Sequence, residues 1–192
     1  MLKDKGARTL LTQKKENPMA IRSKNALSGA LLKLMMYKPF GDIAISDVTE
    51  RAGLSRQTFY TNFQKKDDIL IYLLHGLFQR YYDKIAAARP VPENLLIDYF
   101  LFWGDSRDFL SLLFQQDMGY LFQDCNRAFF VEDTDILNDL ITGEPWQLPY
   151  IKASLAGVTY ELLYMWITRD QGLSVDVLSG LTLNLLGGKI FG

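Results

Sequence analysis

The run Ala52-Gly53-Leu54-Ser55 constrains this chain more than any other four residues in it. Gly53 adopts positive φ without a Cβ penalty and stops the helix before it. Ser55 is a strong N-cap for the helix after it. Residues 45–52 and 55–63 therefore read as two short helices around a tight glycine turn, the signature of a helix-turn-helix. In the second, Phe59 and Phe63 stand four apart and share a face, which is expected to pack on the first and fourth helices.

Helical periodicity extends in both directions. From Met19, Leu27, Ala30, Leu31 and Leu34 recur at helical spacing, and Pro39 closes that helix near Tyr37. A long helix is expected from Lys66 to about Ala88, striped by Ile69, Leu70, Leu73, Leu77, Tyr81 and Ile85, with Asp67 and Asp68 suiting its N-terminal dipole. Pro90 and Pro92 break it. Further helices are expected at 93–103, 106–115, 117–130, 147–169 and 174–188, and no strand alternation interrupts them. The expected fold class is all-α. A basic arm at 1–18, closed by Pro18, precedes a helix-turn-helix head at 19–66, whose packing helix continues to about 88. Residues 67–192 are expected to form a helical body.

Charge separates these parts. Residues 1–66 hold 13 Lys and Arg against 5 Asp and Glu; residues 67–192 hold 8 against 17, and the whole chain comes to −1. A basic first third beside an acidic remainder points to a polyanionic partner for the head alone. His75 and Cys125 are the only residues of their kinds, so an intramolecular disulfide and a thiolate zinc cluster have no material, and no catalytic motif accompanies the single histidine. The sequence assigns no catalytic residue, no metal and no cofactor. It shows neither an apolar signal-peptide core nor a spanning segment, since Lys152 and Glu161 interrupt the longest apolar stretch. A cytoplasmic protein without a membrane partner is expected.

Around the second short helix, Gln57, Thr58 and Thr61 point away from the Phe59/Phe63 face, and Tyr60 and Asn62 flank them. Arg56 reaches outward from the first turn. These side chains can hydrogen-bond base edges and phosphates, and the N-terminal residues of the second helix are those that enter a major groove.

Residues 19–72 resemble the DNA-binding domain of the TetR/AcrR family of bacterial transcriptional regulators. The resemblance rests on Lys38-Pro39-Phe40, Ile43, Ile45, Asp47-Val48, and the ungapped spacing from Ala52 through Ser55-Arg56, Thr58-Phe59-Tyr60 and Phe63 to Lys66-Asp67-Asp68-Ile69-Leu70. It implies DNA contacts from Ser55, Arg56, Gln57, Thr58 and Tyr60, with Asn62 on the adjoining flank and a phosphate contact from Lys66. Thr61 joins them by its position on the helix. Many family members carry Thr where this chain has Ala44, so Ser46 is expected to take part of that capping and backbone-contacting role.

In that family the body binds an inducer and forms a homodimer. Ala153 and Gly157 permit close approach of a partner helix, and Leu178, Leu181 and Leu185 add a second stripe; these five are the expected dimer residues. Phe100, Trp103, Phe114, Phe122 and Tyr164 are the candidate lining of an effector pocket, a filled aromatic core being the other reading. The expected function is a dimeric regulator of a palindromic double-stranded operator, a repressor released by a small-molecule effector. An activator of the same family and a non-specific architectural DNA-binding protein are the alternatives.

Overall fold

The computed structural model describes residues 17–88, 92–133, 141, 143–169 and 172–187. Among these the helices run, in order, α1 Pro18–Met35, α2 Ile45–Ala52, α3 Arg56–Asn62, α4 Asp67–Ala88, α5 Pro92–Gly104, α6 Arg107–Gln115, α7 Gly119–Ala128, α8 Leu148–Arg169 and α9 Val175–Leu186. A 3₁₀ turn, Phe40–Asp42, lies between α1 and α2, and a π-helical turn, Phe129–Asp133, follows α7. The described residues contain no strand, and the all-α expectation holds.

Several helix ends differ from the sequence reading by one or two residues, and two of the differences have a clear local cause. Pro18 opens α1 instead of closing an arm: it occupies the first turn, and the Asn17 side chain accepts from the Met19 amide at 2.9 Å. Proline suits that position because its fixed φ is helical and its missing N–H has no partner there. The rest of the expected arm, residues 1–16, lies outside the described residues. The helix expected from 117 begins at Gly119 because Asp117 is left-handed, with φ 57°. Phe114 folds back over this turn. A Cβ on Gly119 would stand 2.9 Å from the Phe114 Cδ1 atom, so only glycine fits.

Helix α4 joins the two parts. Ile69, Leu70, Leu74, Leu77, Phe78, Tyr81 and Ile85 are buried along it, so Leu74 and Phe78 belong to the stripe more fully than half-buried Leu73. Leu27, Leu31, Val48 and Phe59 are fully buried in the head. In the body, Trp103 packs against the rings of Phe78 and Phe122, each at 4.7 Å between centroids. Tyr99 donates to the Asn126 Oδ1 atom at 2.8 Å, and the Asn126 amide donates to the Ala156 carbonyl at 2.9 Å. This buried amide ties α5, α7 and α8 together.

Helix α6 is braced at both ends. At its start Arg107 donates to the carbonyls of Trp166 and Ile167 near the end of α8, at 3.2 and 3.4 Å. Just past its end, Gln116 accepts from the Phe40 amide at 2.7 Å and donates to the Met35 carbonyl at 2.8 Å. One side chain of the body thereby satisfies both the last turn of α1 and the first residue of the 3₁₀ turn.

Candidate nucleic-acid interface

The turn between α2 and α3 is closed by backbone. Gly53 sits at φ 65°, its amide bonds the Glu50 carbonyl, and the Leu54 amide bonds the Thr49 carbonyl at 2.9 Å. A left-handed residue at this position satisfies the last carbonyls of α2 and turns the chain sharply. Ser55 then accepts from the Thr58 amide at 3.0 Å and shares a 2.9 Å hydrogen bond with the Thr58 hydroxyl. Phe59 and Phe63 anchor the helix inward, their rings 6.1 Å apart. Phe63 also meets Tyr72 of α4 at 5.9 Å, with Lys24 of α1 5.0 Å from the Tyr72 ring centre.

Nine residues were expected to touch DNA, and their hydrogen bonds sort them. The Thr61 hydroxyl donates to the Gln57 carbonyl at 2.9 Å, and the half-buried Asn62 amide to the Thr58 carbonyl at 2.8 Å. Ser55 and Thr58 engage each other. Arg56, Gln57 and Tyr60 are exposed, and no side-chain hydrogen bond or ion pair among the described residues holds their polar ends. Tyr60 also stacks edge-on to Phe59 at 5.4 Å, which fixes its ring and leaves its hydroxyl outward. Ser46 is exposed in the first turn of α2, and no hydrogen bond among the described residues engages its hydroxyl.

Ala44, which has no hydroxyl, is the N-cap of α2. Asp47 makes the other half of a capping box, accepting from the Ala44 amide at 3.1 Å while paired to Lys38 at 2.8 Å. The Lys38 hydrogen bond, with the Ala44 amide second, holds the Asp47 carboxyl below its usual range.

Lys66 has an unforeseen set of partners. Its ammonium donates to the carbonyls of Phe40, Gly41 and Ile43, the last two at 3.2 and 2.8 Å, and lies 4.4 Å from the centre of the Phe40 ring. Partial burial lowers its pKa. Three donors meet three carbonyls, so a phosphate would have to displace one of them. We expect Lys66→Met to lower the stability of the head by about 1–3 kcal/mol, as loss of charged hydrogen bonds does. Thermal unfolding without DNA measures this, and an unchanged melt with weakened DNA binding would restore the phosphate contact as its main role.

Most of the candidate effector lining is buried. Phe100, Trp103 and Phe122 are fully buried and Phe114 nearly so, each packed ring against ring, while Tyr164 is 39% exposed beside Phe114 at 5.0 Å. These edge-to-face and tilted contacts pack the rings against one another. Of the expected dimer residues, Leu178 is corrected: it is 2% exposed and belongs to the protomer core, on the α9 face that packs on α5. Ala153, Gly157 and Leu181 are exposed and Leu185 is half-buried. Burial pushes the Cys125 thiol up to about 12 and lowers the His75 pKa, so the thiol is protonated and the imidazole neutral at pH 7. Among the described residues no helix is long and apolar enough to cross a membrane.

Comparison with known proteins agrees with this geometry. Residues 29–73 match the family model described as bacterial regulatory proteins, tetR family. A stretch of 75 residues, 38% of this chain, is 30% identical to the HTH-type transcriptional regulator EthR of Mycolicibacterium smegmatis, and spans 35% of that protein's length. Among solved structures, a TetR transcriptional regulator from Streptococcus agalactiae superposes with a TM-score of 0.68 at 22% identity, covering 88% of this chain and 95% of the other. The dihydroxyacetone kinase operon activator DhaS superposes with a TM-score of 0.59 at 18% identity, covering 88% and 97%. At such identities these structures speak for the fold.

Proposed function

For this chain, a member of the TetR family of bacterial regulatory proteins, we propose sequence-specific binding to a palindromic operator as a homodimer, with release by a small-molecule effector. The observation that carries the reading is α3 itself. It is anchored by two buried phenylalanines and capped by Ser55, and among the described residues no hydrogen bond or ion pair holds the polar ends of Arg56, Gln57 and Tyr60. Buried aromatics fix the helix, and uncommitted polar ends are what base edges and phosphates require. Attraction to DNA comes from the basic first third of the chain, so α3 needs few charges of its own.

Twofold symmetry follows from the weakness of a single reading helix and from the surface of the body. Helices α8 and α9 expose Ala153, Gly157, Tyr164, Met165, Val177 and Leu181. Small residues on one helix and aliphatic residues on the other suit an isologous four-helix contact. Repression is the simplest output, because occupying a promoter blocks it without any surface for polymerase. Release requires an effector that favours one arrangement of head and body over another. Helix α4 and the α6 brace, which touch both parts, are the levers for it.

Selection of bound DNA from a random library tests the reading. A palindromic consensus is expected, with Arg56→Ala and Tyr60→Ala each weakening binding to it by about 1–3 kcal/mol at unchanged melting temperature. Steep salt dependence without any consensus would favour the architectural alternative. Wild-type affinity in both variants would remove α3 from the interface.

A further inference from the structure

Two carboxamides stand on α3, and the fold treats them oppositely. The Asn62 amide is half-buried and donates to the Thr58 carbonyl at 2.8 Å. Gln57 is exposed, and no hydrogen bond among the described residues engages its carboxamide. The bond that reaches Gln57 from the Thr61 hydroxyl, at 2.9 Å, goes to its main-chain carbonyl. One amide is therefore spent within the helix, and the other keeps both its donor and its acceptor for a partner outside it.

Position on the helix adds to this contrast. At 3.6 residues per turn, Gln57 and Thr61 lie about 160° round the helix from buried Phe59, while Arg56 and Tyr60 lie about 60° and 100° from it. Arg56 and Tyr60 thus flank the outward line, where the phosphates of a groove wall would meet them. On the outward line itself, Thr61 is short and turns its hydroxyl back on the helix, as Thr58 does toward Ser55. Gln57 is the long polar side chain of that line.

A carboxamide carries a donor and an acceptor side by side. Adenine presents the matching pair in the major groove, its N7 acceptor beside its N6 donor. Guanine presents two acceptors there, so the carboxamide oxygen has no donor to meet, and thymine and cytosine offer one polar group each. We infer that Gln57 is a base-specifying residue of α3, that it makes a two-bond contact to an adenine, and that each half-site carries an A·T pair where this side chain reaches. Arg56 and Tyr60 supply affinity from the flank, and Gln57 supplies the preference at that pair. The inference rests on the operator reading above and adds to it which side chain reads and which base pair is read.

Selection from a random duplex library, run with the full chain and with Gln57→Ala, tests this. Both should yield a palindrome, and the variant should lose its preference at one symmetric pair of positions while keeping the others. The unsubstituted protein should hold A·T there and favour it over G·C by about tenfold or more in competition binding, against about threefold or less for Gln57→Ala. Gln57→Arg should turn the preference to G·C, because a guanidinium pairs with O6 and N7 of guanine. 7-Deazaadenine at that position removes the N7 acceptor and keeps the base pair. It should weaken the unsubstituted protein about three- to tenfold and leave Gln57→Ala unchanged. Both variants should melt at the unsubstituted temperature, because the side chain is exposed and the Thr61 bond uses main chain. A consensus that Gln57→Ala leaves intact, a G·C pair at the positions it relaxes, or indifference to 7-deazaadenine overturns the assignment while the operator reading stands. No consensus with the unsubstituted protein overturns both.

Discussion

Phe59→Ala should lower the stability of the reading head by about 3–5 kcal/mol. The side chain is fully buried and its ring meets both Tyr60 and Phe63, so truncation leaves a cavity where α3 packs on α1 and α2. Domains are stable by only about 5–15 kcal/mol in total, and the head is the smaller part. Its helices should therefore open locally while the aromatic body stays packed. Hydrogen exchange gives the direct measurement: protection lost across 45–63 and kept across 99–126. Operator binding should disappear as well, although Arg56, Gln57 and Tyr60 are all still present. The comparison with Tyr60→Ala is informative because Tyr60 is 53% exposed. That variant should lose DNA affinity with its head still protected. Equal protection in the two variants would show that Phe59 does not anchor the head.

The head was legible because its determinants are local. A glycine at a left-handed turn, a serine two residues later, and two phenylalanines four apart each carry their meaning within one or two helical turns. The α2–α3 turn and the inward face of α3 came out as the residues imply. Lys66 and Gln116 were not legible in the same way. Lys66 binds carbonyls 23 to 26 residues away, and Gln116 binds groups 76 and 81 residues away. A single side chain that clamps distant backbone leaves no periodicity in sequence. The same holds for Asn126, whose burial between α5 and α8 nothing in its neighbourhood announces. Composition could say that the middle helices are rich in aromatics, but not whether the rings line a space or fill it; only their mutual packing decides that. Leu178 failed for a related reason. It sits among leucines on α9, and the approach of α5 determines which of them turn inward. Pro18 was misread because proline marks helix starts as well as stops, and the Asn17 cap beside it was the missed signal.

The largest effect on operator binding is expected from the body rather than from α3. Leu181→Glu should convert the proposed dimer to a monomer and weaken operator binding by about 10²–10⁴-fold, the range by which linking two binding modules exceeds either one. Leu181 is 41% exposed in the protomer, and Val177 one turn earlier is 55% exposed. A carboxylate there is tolerated by an isolated chain and is costly in a self-complementary apolar contact, where two copies bring like charges together. Gly157→Leu is the companion variant on α8. Beyond the backbone of α8 itself, no atom of the described residues lies within 4 Å of an added Cβ, so the protomer has space there, and leucine favours the helix more than glycine does. Its effect should fall on the approach of the partner helix alone. Leu178→Glu supplies the contrast, since that side chain is 2% exposed and its replacement should unfold the body. Sedimentation with thermal melting distinguishes the three: monomer at unchanged melting temperature for Leu181→Glu and Gly157→Leu, and loss of fold for Leu178→Glu. Dimers that persist in both surface variants would move the interface off the α8–α9 face. The two reading heads would then be spaced by some other surface, and the α6 brace would no longer link the dimer contact to the head.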